Sequence, residues 1–517
     1  MIKCKIIEIN IDWYEAWKSF VSDFVPIFNL FMKPAYILVF FLWCNGLCKA
    51  QDTVKSVFTK YYTVNQLKSD FVFFRTTLEI IHPSLYRYHP KDTIDAYFNK
   101  TSVQLDHSMN ELEYWRILAQ VIAKLGSGHT SVVLSDAAYR QYGSVQHDLI
   151  PANLYIQNDR LYIRSRLRST DTLLTCGSEV LAINNVSGPA ILNKMREFVS
   201  GDGYSNTFKD RRISSQFNYL YNLINGDQYQ FFLVLNDKGK IKRGVVKAVN
   251  TLRPIPSAAR PVASSTTSYL PTIKYPEDMP GTAVITIPNF RYEKEYEALH
   301  ARFFKEVRQR NITNLVIDLR NNPGGKLKIS NDVMSYIMTH RYYYGVADER
   351  YVNISRIEYL SKKSVSEGIS LADIQNLGRS LYRHNYDDDS RQEVRMHEFK
   401  GKLYVLINEG SFSAAALFAT TVKNQRDCII LGEETGGNAY GSDADVNPII
   451  LPETHLKLNL PIDWIYAPTY QSKNTGGGLK PDIQVSVPLS SSYNFKEGDP
   501  VLDAVKENIK ASATKAD

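Results

Sequence analysis

The chain has 517 residues, 44% of them hydrophobic and 22% charged, an ordinary globular composition with length enough for two to four domains. Its formal charge of +7 comes from 61 basic and 54 acidic residues with no long basic run, which argues against a nucleic-acid partner. The ten histidines are scattered and there is no HExxH or paired-cysteine spacing, so neither a metal nor a cofactor is expected.

The first 50 residues read as a signal-peptide region. Residues 33–50 give a basic start at Lys33, an apolar run from Ala35 and a small residue, Ala50, before Gln51. That run falls short of the about 20 apolar residues a membrane span needs. Cleavage after Ala50 and export to a periplasmic or extracellular space are expected, with the membrane touched only through this signal. Cys44 and Cys48 raise a lipoprotein alternative, which bulky Trp43 and Leu47 disfavour because a lipobox has a small residue there. Met32 is the natural start of such a signal, leaving residues 1–31 as surplus. After cleavage only Cys176 and Cys428 remain, too few for a disulfide scaffold, with one bridge between them left open.

Residues 51–145 read as a helical domain. Leu67, Phe71, Phe74, Leu78 and Ile81 fall on one helical face, and Tyr114, Trp115, Leu118, Val121, Ile122 and Leu125 on another, with Ser108 and Glu111 as a capping box before the second helix. His82 and His107 belong to this region as structural or surface residues. From Ile150 the period changes to two. Leu154 and Ile156 alternate before Asn158-Asp159, and Leu161 and Ile163 after it, which predicts a hairpin. A helix from Pro189 to about Val199 and a strand over 229–235 complete a β-rich unit, 146–250, that resembles a PDZ domain.

Residues 251–280 hold six prolines in a Ser/Thr-rich stretch and read as a linker. Strands over 283–287, 315–319 and 403–407 alternate with helical patterns, one of them carrying Tyr292, Tyr296, Leu299, Phe303 and Val307, which predicts an α/β core over 281–487. The polar stretch 341–400, with Asp387-Asp388-Asp389, reads as a surface insertion, and 488–517 as a tail.

Two turns of this core suit chemistry. At 408–419, NEGSFSAAALFA, a strand runs through small residues into a helix, a junction that lifts the Ser413 hydroxyl out of the fold beside free helix-start N–H groups. Ser411 is the rival hydroxyl and is expected to shape the turn. After the strand ending near Ile317, DLRNNPGG at 318–325 makes a second such turn.

Those two stretches, with GEETGG at 432–437 and GGLKPDIQV at 477–485, in that order, resemble the tail-specific or C-terminal processing serine peptidases, whose relatives include the tricorn core and interphotoreceptor retinoid-binding protein. The resemblance covers most of residues 55–487. It implies a multidomain α/β protein: helical N-terminal domain, PDZ-like unit and a ClpP/crotonase-like core. It also implies hydrolysis of a polypeptide substrate through an acyl-enzyme on Ser413. An oxyanion hole follows from Gly324 or Gly325 with the N–H of Ala414, since glycine lets the backbone approach closely.

The processing peptidases use a lysine base in a stretch like GEKTFGKG, and here Asn438 stands in its place. Lys423 and Lys457 are the nearest lysines and read as solvated. The tricorn-like branch takes a histidine from before the PDZ-like unit. This points to His129, in Gly126-Ser127-Gly128-His129-Thr130, with an unperturbed pKa of about 6.5 suited to a base. Ser127 is a possible orienter. The tricorn-like glutamate would fall where Asn474 and Thr475 stand, leaving Glu433, Glu434 and Asp463 as substitutes by nearness of motif. The competing expectation is an inactive relative that binds peptides or apolar ligands. The distance from Ser413 to His129 separates the two.

Overall fold

A computed structural model describes residues 58–251, 270–291, 293–345, 347–351, 354–383, 391–467, 476–487 and 498–513. The stretch read as a signal peptide, with Met32, most of the 251–280 stretch read as a linker, Asp387-Asp388-Asp389, and Asn474 with Thr475 lie outside these residues.

The element that organises the site is a six-stranded sheet in the order Thr272–Lys274, Thr282–Thr286, Asn314–Asp318, Lys402–Ile407, Ile429–Gly432 and Ile483–Gln484. All neighbours but the first pair run parallel. Parallel strands buried on both faces should be continuously apolar, and these are. Ala283, Ile285, Leu315, Ile317, Leu403, Val405 and Ile407 pack on one face with the helices Leu327–Ile337 and Ala414–Gln425. Val284, Val316, Tyr404 and Leu406, the residues between them, pack on the other with Val501 and Val505. Those two valines lie on a helix, Pro500–Ala513, so the C-terminal stretch is no mere tail: it closes the second face of the sheet.

A second sheet joins Gly441–Ile450, Lys457–Tyr466 and Ala347–Tyr351, with Ser131–Val133 pairing antiparallel to Lys457–Asn459. The N-terminal helices Val64–Ile81 and Glu111–Ile122 bury the apolar faces expected of them, but against residues from far along the chain. Ile449, Leu458, Leu460 and Ile462 share their core, and so do Ile357, Leu360, Ile369, Ile374 and Leu377. The stretch 341–400 is therefore not a surface excursion. Its helix Ile354–Ser366 puts Ile357, Leu360, Ser361 and Ser364 on one buried face, a 3.6-residue period that the surrounding polar residues mask. The capping box also moves: Asn110 and Glu113 form it, because the helix begins at Glu111 rather than at Met109, directly after Ser108.

Residues 150–246, by contrast, close a core of their own, an antiparallel sheet in the order Lys240–Lys247, Gln230–Asp237, Glu179–Ile183, Arg160–Arg166 and Ala152–Gln157. The expected hairpin is present. Asn158 and Asp159 take φ values of 50° and 59°, as a two-residue primed turn requires. The helix expected from Pro189 spans Gly188–Arg196 under an Ser187 cap. Cys176 is exposed and Cys428 buried, and both are free thiols, so the open bridge is not made.

Candidate active site

Ser413 ends the turn between the strand Lys402–Ile407 and the helix Ala414–Gln425. Its backbone sits at φ 53°, ψ −124°, a conformation a non-glycine residue adopts at a cost of about 1–3 kcal/mol and that places the side chain at the apex of a sharp strand-to-helix turn. Ser411 behaves as expected of it. It is fully buried, its Oγ donates to the Leu319 carbonyl at 2.8 Å, and it accepts from the Asn408 N–H at 3.1 Å.

The two turns are sewn together. The Phe412 N–H donates to the Asn322 carbonyl at 3.0 Å, and the Asn321 N–H to Asn408 Oδ1 at 2.8 Å. Gly324 lies so close that a Cβ there would come within 2.8 Å of Ser413 Cβ and of the Ala414 nitrogen. Its own N–H is taken by Asn322 Oδ1 at 2.8 Å. The next N–H, that of Gly325, and the N–H of Ala414 have no protein acceptor among the described residues. Gly325 has φ 143°, and a Cβ on it would meet the Phe290 carbonyl oxygen at 2.4 Å. Glycine is required at both positions.

His129 arrives from 284 residues away, and its Nε2 lies 3.0 Å from Ser413 Oγ. Three constraints set its position. The strand Ser131–Val133 anchors the loop to the second sheet. Phe412 stacks on the imidazole at 4.8 Å between centroids and is itself stacked by Phe208 at 3.8 Å. Third, the Gly128 N–H donates to Asp202 Oδ1 at 2.7 Å, and the Gly203 N–H to the Gly126 carbonyl at 2.8 Å. Burial pushes the imidazole pKa down to about 4; Asp443 opposes the shift and Arg212 adds to it. The ring is therefore neutral at pH 7, the form that can take a proton. Its Nδ1 is buried without a hydrogen-bond partner among the described residues.

Behind the loop is a polar network that the sequence does not announce. Both oxygens of buried Asp443 accept from Ser84 Oγ, at 2.7 and 2.9 Å, and Asp443 is also bonded to Ser127. Thr130 Oγ1 donates to Ser127 Oγ at 2.8 Å and meets His82 Nε2 at 2.7 Å. Burial holds His82 neutral, with its pKa lowered to about 3. Burial also raises the Asp443 carboxyl, which Ser127, Ser84 and His129 pull back down. Asp202 accepts from the Asn438 N–H at 3.3 Å as well, tying the His129 loop to the Gly-Gly turn, and burial raises its carboxyl to about 7.

The remaining residues read from the sequence do other things. Ser127 reaches Asp443 and Thr130 rather than the imidazole. Glu434 accepts the Gly478 N–H at 2.8 Å and so fastens the Gly-Gly-Leu-Lys stretch. Glu433, raised to about 7 by burial and by Glu409, lines a small cavity with Arg211, Arg320 and Asn408. Neither glutamate bonds His129, and no carboxylate does so among the described residues. Asp463 is fully buried on the second sheet. Lys423 pairs with Asp482 at 2.7 Å and Lys457 with Asp136 at 3.0 Å, so both lysines are engaged in ion pairs. Among the described residues no group of His, Cys, Asp or Glu could hold a metal.

A mostly parallel sheet thus carries a strained serine at a strand-to-helix turn, facing a buried histidine and two glycines, within an α/β fold. Residues 281–485 match the model of peptidase family S41, so the chain carries an S41 peptidase domain, and the resemblance drawn from its four motifs is borne out. Among solved structures, mature CPAF superposes with a TM-score of 0.59 at 15% identity, covering 86% of this chain and 96% of that one. Mature CPAF complexed with lactacystin gives 0.59 at 14% identity over 86% and 98%, and a CPAF mutant 0.57 at 14% over 83% and 94%. At such identities the likeness is one of fold. No curated protein matches the chain in sequence.

Proposed function

We propose that this chain is an exported serine peptidase in which Ser413 is the nucleophile and His129 its base. The observation that carries the reading is the 3.0 Å contact between His129 Nε2 and Ser413 Oγ, made by residues 284 positions apart inside a family S41 fold. A lone helix-capping serine has no need of such a partner, so the inactive-relative reading is not favoured.

In this mechanism His129 Nε2 takes the Ser413 hydroxyl proton as Oγ attacks the scissile carbonyl of a polypeptide. The N–H groups of Gly325 and Ala414 donate to the oxyanion; Gly324 shapes the turn, its N–H being committed to Asn322. His129 returns the proton to the leaving amine, and water then releases the acyl group by the same steps in reverse. Asp443 favours the imidazolium electrostatically, the part for which Glu433, Glu434 and Asp463 stand in the sequence as substitutes by nearness of motif. The unit read as PDZ-like, 146–250, would present an extended peptide by strand addition.

The test is labelling with a fluorophosphonate and cleavage of a varied peptide set. Wild type should label and cleave. Ser413→Ala should do neither, and His129→Ala should lose at least about a thousandfold in rate. A wild type that is folded yet inert to both would sink the proposal. Among the described residues no helix is long and apolar enough to cross a membrane. N-terminal sequencing of the mature protein, expected to begin at Gln51, checks the export step.

A further inference from the structure

The helix Thr207–Ser215 lies against Phe412 and carries three cations, Lys209, Arg211 and Arg212. Lys209 Nζ donates to the Ala123 carbonyl at 3.0 Å, and Arg211 approaches Glu409 at 3.8 Å. The helix's own acid, Asp210, is held by Arg196 through two hydrogen bonds, of 2.7 and 2.6 Å. Arg212 is left over. Its Nη1 donates to the buried hydroxyl of Ser200 at 3.2 Å, and its guanidinium sits 5.7 Å from the Phe208 ring centroid. It has no ion pair among the described residues, and burial alone lowers its pKa.

A part-buried guanidinium offers five donors in a fixed fork, and with one used the rest call for an anion. The stack His129, Phe412, Phe208 joins Arg212 to the base through the same aromatic wall, and Arg212 is near enough to His129 to act on its charge. We infer that Arg212 is a specificity residue that binds a carboxylate of the peptide substrate beside the Ser413–His129 pair. This rests on the peptidase reading and names the substrate class that reading leaves open.

Binding also feeds back on the base. Free Arg212 disfavours a proton on His129, and a carboxylate docked on Arg212 cancels that effect, so acidic substrates assist the step in which the imidazolium forms.

The experiment compares quenched-fluorescence peptides that differ only by Glu against Gln at each position flanking the scissile bond, each with a free and with an amidated C-terminus. Wild type should prefer the best acidic peptide by about tenfold to a hundredfold in kcat/KM, the range of a charge-assisted hydrogen bond. Arg212→Met, which keeps the apolar stem against Phe208, should bring that ratio close to one. Arg212→Lys should fall between, keeping charge without the fork. A preference that follows the free terminus identifies a terminal carboxylate as the ligand; one that survives amidation identifies a side chain. Thermal unfolding of each variant controls for folding. Active wild type with no acid preference, or one unchanged in Arg212→Met, overturns the inference. If wild type neither labels nor cleaves, the peptidase reading fails separately, and affinities of the same peptide pairs for Ser413→Ala protein, with and without Arg212→Met, still decide on Arg212.

Discussion

The turn that carries Ser413 is fastened to its neighbours in one sheet, whereas the loop that carries His129 is held by segments from four distant parts of the chain. Around Ser413, the partners Asn321, Asn322, Asn408 and Ser411 all belong to the two turns that follow adjacent parallel strands. Around His129, the partners come from residues 82–84, 202–208, 412 and 438–459. Local geometry thus sets Ser413 and tertiary packing sets His129. Substitutions on the first side should change chemistry at little cost in stability, and on the second chemistry and stability together.

Beyond the Ser413→Ala and His129→Ala variants already named, the largest expected effect is on the local side. Gly325→Ala must push a methyl against the Phe290 carbonyl oxygen at 2.4 Å, turning the Gly325 N–H off its aim. Loss of one oxyanion donor typically costs about 10²–10³ in kcat, and steady-state kinetics with far-UV circular dichroism should show that loss in a chain of native secondary structure. A collapse of secondary structure instead would mean the turn is as dependent on tertiary packing as the His129 loop.

Next comes Asp443→Asn, expected to lower kcat by about ten- to a hundredfold and to destabilise the fold, because a buried amide replaces an acceptor of Ser84 and Ser127. The pH profile sharpens the comparison. With the pKa lowered to about 4, neutral His129 predominates above about pH 4, so kcat/KM should lose activity only as pH falls through that value. The charges acting on His129 are Asp443 and Arg212, with opposite sign. Asp443→Asn should therefore move the acid limb down, and Arg212→Met should move it up. The unfolded imidazole, at about 6.5, binds its proton more readily than the folded one, so the His129 contribution to stability is present above about pH 6.5 and lost as pH falls toward 4. A limb near pH 6.5 in wild type would show His129 to be solvated in the working enzyme.

The smallest effect is one on stability alone, that of Ser413→Gly, whose loss of the hydroxyl also removes activity. Relief of about 1–3 kcal/mol of backbone strain, less about 0.5–1 kcal/mol for the freer unfolded chain, leaves a gain of about 1 kcal/mol, readable by denaturant unfolding. An unchanged midpoint would mean the turn stores no strain.

The same division explains what could be read in the sequence. Ser413, Ser411 and the glycine pair were legible because strand, turn and helix start are consecutive, and small residues there have a steric reason. His129 was legible only through the family pattern, since nothing local marks a turn histidine as a base. Asp443 and Asp202 were not legible at all: each is a single carboxylate in an unremarkable stretch, placed by strand pairing or by a loop crossing. The helix within 341–400 was missed although its period was there, because composition averaged over sixty residues hid an apolar face thirteen residues long. The C-terminal helix was missed in the same way, its valines reading as part of a polar end.

The pairing of Ser131–Val133 with Lys457–Asn459 has a temporal meaning. A chain emerging from the ribosome exposes His129 early and Ser413 much later, but the loop that aims the imidazole has no sheet to pair with until residue 459 is made. The arrangement therefore waits on residue 459, and a nascent chain cut short of it carries Ser413 with His129 not yet put in place.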